Sequence, residues 1–266
     1  MSVRRVAVVG ANGKTGRAVS AALHAREVEV SAIGRAELAS LPKALAGADA
    51  LYLIAPNMLK DEPAFVRRIL AVAQSEGIRR IGYHSVAAPY APAMPHHLGK
   101  AEAENVVRTS PGDWTILQPC AYVQNFVPAL RADDPVLRVA YSAHAQFGLV
   151  DLDDVAAAAA RVLTSIGHEG ATYELGGPRL VDLYDVAAAA AGVLRREVPI
   201  HEVSVEEWRT SDGAGLDPRV RDWLAAMFTY YDRYGLPVGP MPLRGLLGRE
   251  PTALGATLTR ELVGAG

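Results

Sequence analysis

The chain has 266 residues and a formal net charge of −2, with half of its residues hydrophobic and 21% charged, the balance of a globular protein with a substantial core. So little net charge excludes a sequence-independent nucleic-acid surface, which needs a strong basic excess. Cys120 is the only cysteine, which excludes an intrachain disulfide and a multi-cysteine metal site, and no metal is expected.

In chain order, residues 5–10 form an apolar run closed by glycine, the pattern of a strand buried on both faces. Residues 14–25 follow with helical spacing that puts Val19, Ala22 and Leu23 on one face. Residues 28–34 read as the second strand, 37–45 as a helix, and 50–55 as the third strand, stopped by Pro56. An amphipathic helix over 62–75 turns Phe65, Ile69, Leu70 and Val72 inward, and strand 80–86, helix 97–108 and strand 114–118 complete the run. This βαβαβ rhythm predicts an α/β protein of the Rossmann type, a doubly wound parallel sheet with helices on both faces. Ligands of such sheets bind beyond the carboxyl ends of the strands, here at Gly10, Gly34-Arg35, Ala55-Pro56, Ser85 and Gln118-Pro119.

After Cys120 the rhythm loosens. Residues 153–163 and 182–194 read as helices with acids in their first turns, favourable to the helix dipole, and 173–175 as a further strand. The tail from Val205 carries Trp208, Trp223, Phe228, Tyr230, Tyr231 and Tyr234, then a Gly/Pro-rich segment to Pro242. The expected organisation is a dinucleotide-binding core over 1–155. Residues 156–266 then supply the remaining sheet elements and a small mixed C-terminal substrate lobe, interleaved so that the two are effectively one domain. No apolar leader precedes Val3, and no apolar run approaches the roughly 20 residues of a bilayer span, so the expectation is a cytoplasmic protein without membrane contact.

The segment Gly10-Ala11-Asn12-Gly13-Lys14-Thr15-Gly16 joins the first strand to the first helix. Gly10 suits the tight turn, Gly13 lets the backbone approach a pyrophosphate, and Gly16 lets helix and strand pack closely, so the first helical N–H groups face the anion. A Walker-type loop is not matched, because the glycine spacing is too short and Lys14 is followed by Thr15 alone. The second strand ends Ile33-Gly34-Arg35. An arginine there suits the 2′-phosphate of NADP(H), whereas NAD(H) prefers an acid; Glu37, the dissenting residue, is read as opening the next helix.

These residues carry a family resemblance. The opening Val8-Val9-Gly10 through Gly16, Leu53-Ile54-Ala55-Pro56, Asp113-Trp114-Thr115-Ile116-Leu117-Gln118-Pro119, Tyr122-Val123-Gln124-Asn125-Phe126, Gly148 through Val155, and Gly248-Arg249-Glu250-Pro251-Thr252 are similar to segments of the NmrA-like branch of the atypical short-chain dehydrogenase/reductase superfamily. The resemblance spans nearly the whole chain. It implies a cofactor running from Gly10, Asn12, Gly13, Lys14, Thr15 and Gly16 past Arg35, Ala55 and Pro56 to a nicotinamide near Ser85, Lys100, Pro119 and Tyr122. It implies an NADPH-dependent oxidoreductase reducing a small carbonyl, quinone or enone, with a tailoring step in secondary metabolism among the roles of such enzymes. Non-redox cyclases, isomerases or dehydratases and redox-sensing regulators on the same scaffold are the alternatives.

The superfamily's usual apparatus is a tyrosine four residues before a lysine, with a serine or threonine at the end of the fourth strand. Lys100 and Ser85 stand at the lysine and serine positions, but His96 replaces the tyrosine. A histidine titrates near neutrality and is a possible general acid or base, with His97 beside it. Tyr83, on the face of Ser85, and Tyr90, on the following loop, are further proton donors, while His84 faces away. Cys120 reads as a buried small hydrophobe rather than a nucleophile. The helically spaced Trp223, Met227, Phe228, Tyr230 and Tyr231 are either core or a lid; a lid would favour an aromatic or polycyclic substrate. The partner is a small molecule, not nucleic acid, and the chain is expected to be a monomer or homodimer.

Overall fold

The computed structural model describes residues 3–264. Six parallel strands, β1 (Arg5–Val9), β2 (Glu29–Ile33), β3 (Ala50–Leu53), β4 (Arg80–His84), β5 (Asp113–Pro119) and the late strand over Ala171–Leu175, form one sheet. The order across it is β2, β1, β3, β4, β5, then Ala171–Leu175 at the edge, so the expected doubly wound sheet is present. The chain leaves β1 in one direction to make β2 and returns on the other side to make β3, which puts the switch in strand order at the β1–β3 crevice.

Helix α1 (Lys14–His24) buries Val19 and Leu23, as its spacing requires, while Ala22 lies at the margin. The expected helix over 37–45 is two pieces, a single tight turn at Glu37–Ser40 and α2 (Leu41–Leu45). Pro42 explains the break, since it donates no N–H and therefore sits in the first turn of a new helix. In α3 (Glu62–Ser75) the deep positions are Val66, Ile69, Leu70 and Ala73, together with Glu62. Phe65 and Val72 are only half-buried, a rotation of the expected face. Helix α4 (Pro95–Thr109) begins two residues earlier than expected, with Pro95 in its first turn. Helices α3 and α4 cover the sheet face formed by Ala7, Leu51, Leu53, Ile81, Tyr83 and Ile116, while the other face meets α1.

A short helix, α5 (Val127–Leu130), follows β5, and then β6 (Leu137–Val139). Helix α6 (Leu152–Thr164) packs on α1, and the edge strand Ala171–Leu175, β7, leads to α7 (Leu183–Leu194). Strand β8 (Ile200–Glu202) pairs in parallel with β6. Helices α8 (Val205–Thr210), α9 (Pro218–Tyr234), α10 (Met241–Leu247) and α11 (Leu254–Val263) make up the rest. Strands β6 and β8, three residues each, are too short for a period to show in sequence. The aromatic series lies on α9, where Tyr231 is buried and Phe228 meets Trp208 edge-on at 4.8 Å. Among the described residues no helix is long and apolar enough to cross a membrane.

Two sequence segments nearly a hundred residues apart meet as a clasp. Asp151 caps α6, accepting the N–H of Asp153 at 2.8 Å, and takes Arg260 Nη2 at 2.9 Å and the hydroxyl of Thr257. Asp154 accepts Arg249 Nη2 at 2.6 Å and the Thr252 N–H at 2.5 Å. Both carboxylates are buried, and a buried carboxylate stripped of its cation is costly. Arg249→Ala should therefore lower stability by about 2–3 kcal/mol, or about 5–10 °C in melting temperature. Calorimetry checks this, and an unchanged midpoint would show the clasp to be dispensable.

Candidate functional site

The sheet ends converge where the sequence placed its candidates. Gly10 closes β1 with φ +82°, and a Cβ there would lie 2.7 Å from the carbonyl oxygen of Ile54 on the β3 side of the crevice. A Cβ on Gly16 would lie 2.2 Å from the Gly10 oxygen, so both positions admit only glycine. Gly13 precedes α1 with extended backbone, and a Cβ on it would meet only that same oxygen, at 3.3 Å. No side chain caps α1. Its leading N–H groups, at the positive end of the helix dipole, thus border open space at the crevice, which fits a diphosphate.

Lys14 Nζ donates to Asn125 Oδ1 at 2.9 Å and stands 5.4 Å from the centre of the Tyr122 ring; partial burial lowers its pKa. Asn12 lies exposed against Gly34, and the Glu37 carboxylate accepts the Gly34 N–H at 2.8 Å. Arg35 is exposed at the end of β2 and has no ion-pair partner among the described residues. Ala55 and Pro56 follow β3, the former buried and the latter exposed, and Pro119 ends β5 within the core.

Lys100 comes from α4 into a buried ionic cluster. Its Nζ is 2.8 Å from Glu62 Oε1 and 3.3 Å from the His84 carbonyl. Glu62 sits in the first turn of α3 beside Asp61, whose own carboxylate caps that helix through the Ala64 N–H. The Tyr83 hydroxyl donates to the same Glu62 oxygen at 2.6 Å, and burial followed by that carboxylate drives the phenol well above its ordinary pKa. A second buried carboxylate, Glu104, lies one helical turn after Lys100. It accepts the Ser85 hydroxyl at 2.5 Å, the Gln118 amide at 2.7 Å and Arg108 Nη2 at 3.2 Å. Ser85 therefore gives its proton to Glu104.

His96 is buried, makes no side-chain hydrogen bond among the described residues, and stacks on Trp223 of α9 with ring centres 6.1 Å apart. Arg219 lies over the Trp223 ring, 4.6 Å from its centre, and donates to the Met58 carbonyl. Burial, and then Lys100 and His97, push His96 down to about 3. His97 donates through Nδ1 to the Ala88 carbonyl at 3.2 Å, and burial holds it at about 4. Both rings are neutral at physiological pH. Cys120 is buried, its thiol raised to about 12 by burial, with Sγ 3.4 Å from the Leu236 oxygen. Tyr90 is 61% exposed and rims a groove of about 480 Å³ between the 88–92 loop, Gln118, Glu174 and Tyr230.

Glu62, Glu104 and Trp223 as a ring partner were not among the sequence candidates. The available signal was the helical ladder Lys100, Glu104, Arg108, three charges at i, i+4 spacing beside a strand end; Glu62 gave none. The Lys100–Glu62 pair is desolvated, so Glu62→Ala should cost about 3–5 kcal/mol by stranding the ammonium. Glu62→Ala/Lys100→Met should recover most of that loss in urea unfolding, and a double variant no more stable than the single one would deny the pairing.

Residues 36–166 match the model of an NAD(P)H-binding family. The chain is 31% identical over 202 residues to a (4-alkanoyl-5-oxo-2,5-dihydrofuran-3-yl)methyl phosphate reductase of Streptomyces griseus, covering 73% of this chain and 69% of that one. Its backbone superposes on an NADPH-dependent quinone oxidoreductase of Escherichia coli, solved with NADPH, with TM-score 0.82 at 23% identity over 96% and 99% of the two chains. It superposes on the transcriptional regulator NmrA, solved with NAD, with TM-score 0.79 at 17% identity over 99% and 96%. With the doubly wound sheet, the glycine turn and these likenesses in place, the chain belongs to the same NAD(P)H-binding family as the Streptomyces griseus reductase, shares the fold of NmrA and the quinone oxidoreductase, and is an NAD(P)H-dependent oxidoreductase.

Proposed function

We propose that this chain takes NADPH along the carboxyl edge of its sheet and reduces quinone-like acceptors whose charge is delocalised. One observation carries the reading: among the candidate donors around Lys100, neither the hydroxyls of Ser85 and Tyr83 nor the rings of His96 and His97 hold a mobile acidic proton. Ser85 donates to Glu104, Tyr83 donates to Glu62, and His96 and His97 are uncharged. A simple ketone that accepts hydride becomes a localised alkoxide and needs a proton donor in the site. A quinone that accepts hydride becomes a hydroquinone anion, with charge spread over the ring, and then takes its proton from water. The E. coli quinone oxidoreductase of the same fold supports this choice.

Bound NADPH would supply the hydride. Gly10, Asn12, Gly13, Lys14, Thr15 and Gly16 would hold its diphosphate, Arg35 its 2′-phosphate, and Ala55, Pro56, Pro119 and Tyr122 the length between and the nicotinamide end. Lys100, kept in register by Glu62, would hydrogen-bond the ribose. The imidazole of His96, steadied by Trp223, would donate a neutral N–H to the acceptor oxygen as negative charge gathers there. Ser85 can offer the acceptor only lone pairs, so its part is to tie β4 to Glu104 and Gln118 rather than to donate. Tyr230 and Tyr90 around the groove, with Trp223 stacked on His96, suit a flat aromatic substrate.

NADPH consumption should be about 100-fold or more faster with benzoquinones and naphthoquinones than with unactivated ketones; equal rates would defeat the proposal. The imidazolium of His96 disappears as pH rises through about 3, so none remains between pH 5 and 8, and kcat/KM for a quinone should be flat there. A limb falling through neutrality that His96→Gln removes would contradict this. Arg35→Glu should raise KM for NADPH by about tenfold or more and spare NADH; an unchanged preference would remove Arg35 from cofactor selection.

A further inference from the structure

A chain of hydrogen bonds runs across the other face of the sheet, apart from the Lys100 cluster. The Tyr52 hydroxyl is 2.7 Å from His84 Nδ1, and His84 Nε2 is 2.9 Å from the Tyr122 hydroxyl. The Tyr122 ring also meets the glycine turn, where the Lys14 ammonium stands 5.4 Å from its centre. Three strand ends and the turn are thereby joined from the core outward. Gly82 makes the arrangement possible: Tyr52 pairs with Gly82 in register, and a Cβ there would lie 2.7 Å from the Tyr52 ring. The ring crosses β4 in that space, and its hydroxyl reaches His84 two residues further on.

The direction of the chain follows from satisfaction of buried groups. Tyr52 is fully buried, and His84 is the only hydrogen-bond partner of its hydroxyl among the described residues. Were Nδ1 to carry the proton, it would donate to the Tyr52 oxygen, and the Tyr52 proton would have nowhere to go, at the full cost of a buried unsatisfied donor. Tyr52 therefore donates to Nδ1. Burial and the Lys100 charge keep His84 neutral, at about 3, and a neutral imidazole carries one proton. That proton is on Nε2 and is given to the Tyr122 oxygen. The Tyr122 proton is left to point onward, to the turn and to whatever anion the turn holds.

We infer that Tyr52 and His84 are positioning residues that fix Tyr122 as a hydrogen-bond donor facing the diphosphate turn. His84, which the sequence set aside as facing away, lies in the middle of this line. The inference rests on the reading that the turn binds NADPH. It adds that a tyrosine with no access to solvent or ligand tunes that binding through two intermediaries. Tyr122 is held on its other side by Lys14, so the ring and its proton are fixed in place before a ligand arrives.

Calorimetric NADPH titration of the intact protein, Tyr52→Phe, Tyr122→Phe and the double variant tests this. Tyr52→Phe should weaken NADPH by about three- to tenfold, and Tyr122→Phe by at least as much. The double variant should be no weaker than Tyr122→Phe alone, because Tyr52 acts only through Tyr122. A plain packing role for Tyr52 would instead give additive losses, and additivity, or full affinity in Tyr52→Phe, overturns the inference while leaving the proposed function intact. An unaltered protein that binds no NADPH overturns both. Nitrogen-15 spectra supply a check that needs no ligand: His84 should be the Nε2–H tautomer, and an Nδ1–H tautomer refutes the direction argued above.

Discussion

The functional end of this molecule depends on one close approach. The backbone at Gly10 passes so near the Ile54 carbonyl, and Gly16 so near the Gly10 oxygen, that a methyl group at either place would collide with main chain. Because the fit is backbone on backbone, nothing can move aside. The reward is position: α1 starts in the β1–β3 crevice with no side-chain hydrogen bond capping its first turn among the described residues, so its unpaired N–H groups and dipole are concentrated where the strand order reverses. The other strand ends derive their relevance from lying along that same edge.

Behind the edge, the protein buries an unusual amount of charge. Glu62, Glu104, Asp151 and Asp154 are all nearly inaccessible, and each is matched by cations or hydrogen-bond donors on a different element. Such groups add little net stability compared with apolar packing, but they penalise any arrangement that leaves them unpaired. In this chain they lie where long-range register matters. Glu62 and Glu104 fix α3 and α4 to the ends of β4 and β5, and Asp151 and Asp154 fix the C-terminal helices to α6. The C-terminal segment is therefore attached beside Tyr122 and Asn125, close to the turn, instead of being free to fold back elsewhere.

This arrangement also bears on chemistry. Polar side chains near the reacting end are plentiful, yet most of their protons are used internally. The environment that orders them removes them as acids: burial raises the tyrosines and lowers the histidines. A site of this kind favours acceptors that stabilise their own negative charge. On the proposed reading, its specificity would lie in shape and stacking, through the tyrosines at the groove rim, more than in proton delivery.

The order of strands and helices, the parallel doubly wound sheet and the glycine turn were legible in the sequence because they rest on local patterns. Apolar runs bounded by glycine, helical spacing as at Val19 and Leu23, and three glycines between a strand and a helix declare themselves within a dozen residues. The break at Pro42 was equally local and could have been read. What tertiary structure alone decided was the use of each polar side chain. Ser85 looked like a donor until Glu104, 19 residues on, took its proton, and His96 looked like a general acid until burial against Trp223 left the imidazole uncharged. His84 looked idle until Tyr52 and Tyr122 closed on its two nitrogens. Periodicity shows which face of an element is apolar; the state of a proton depends on neighbours that the fold brings from distant parts of the chain, and on how completely they exclude water.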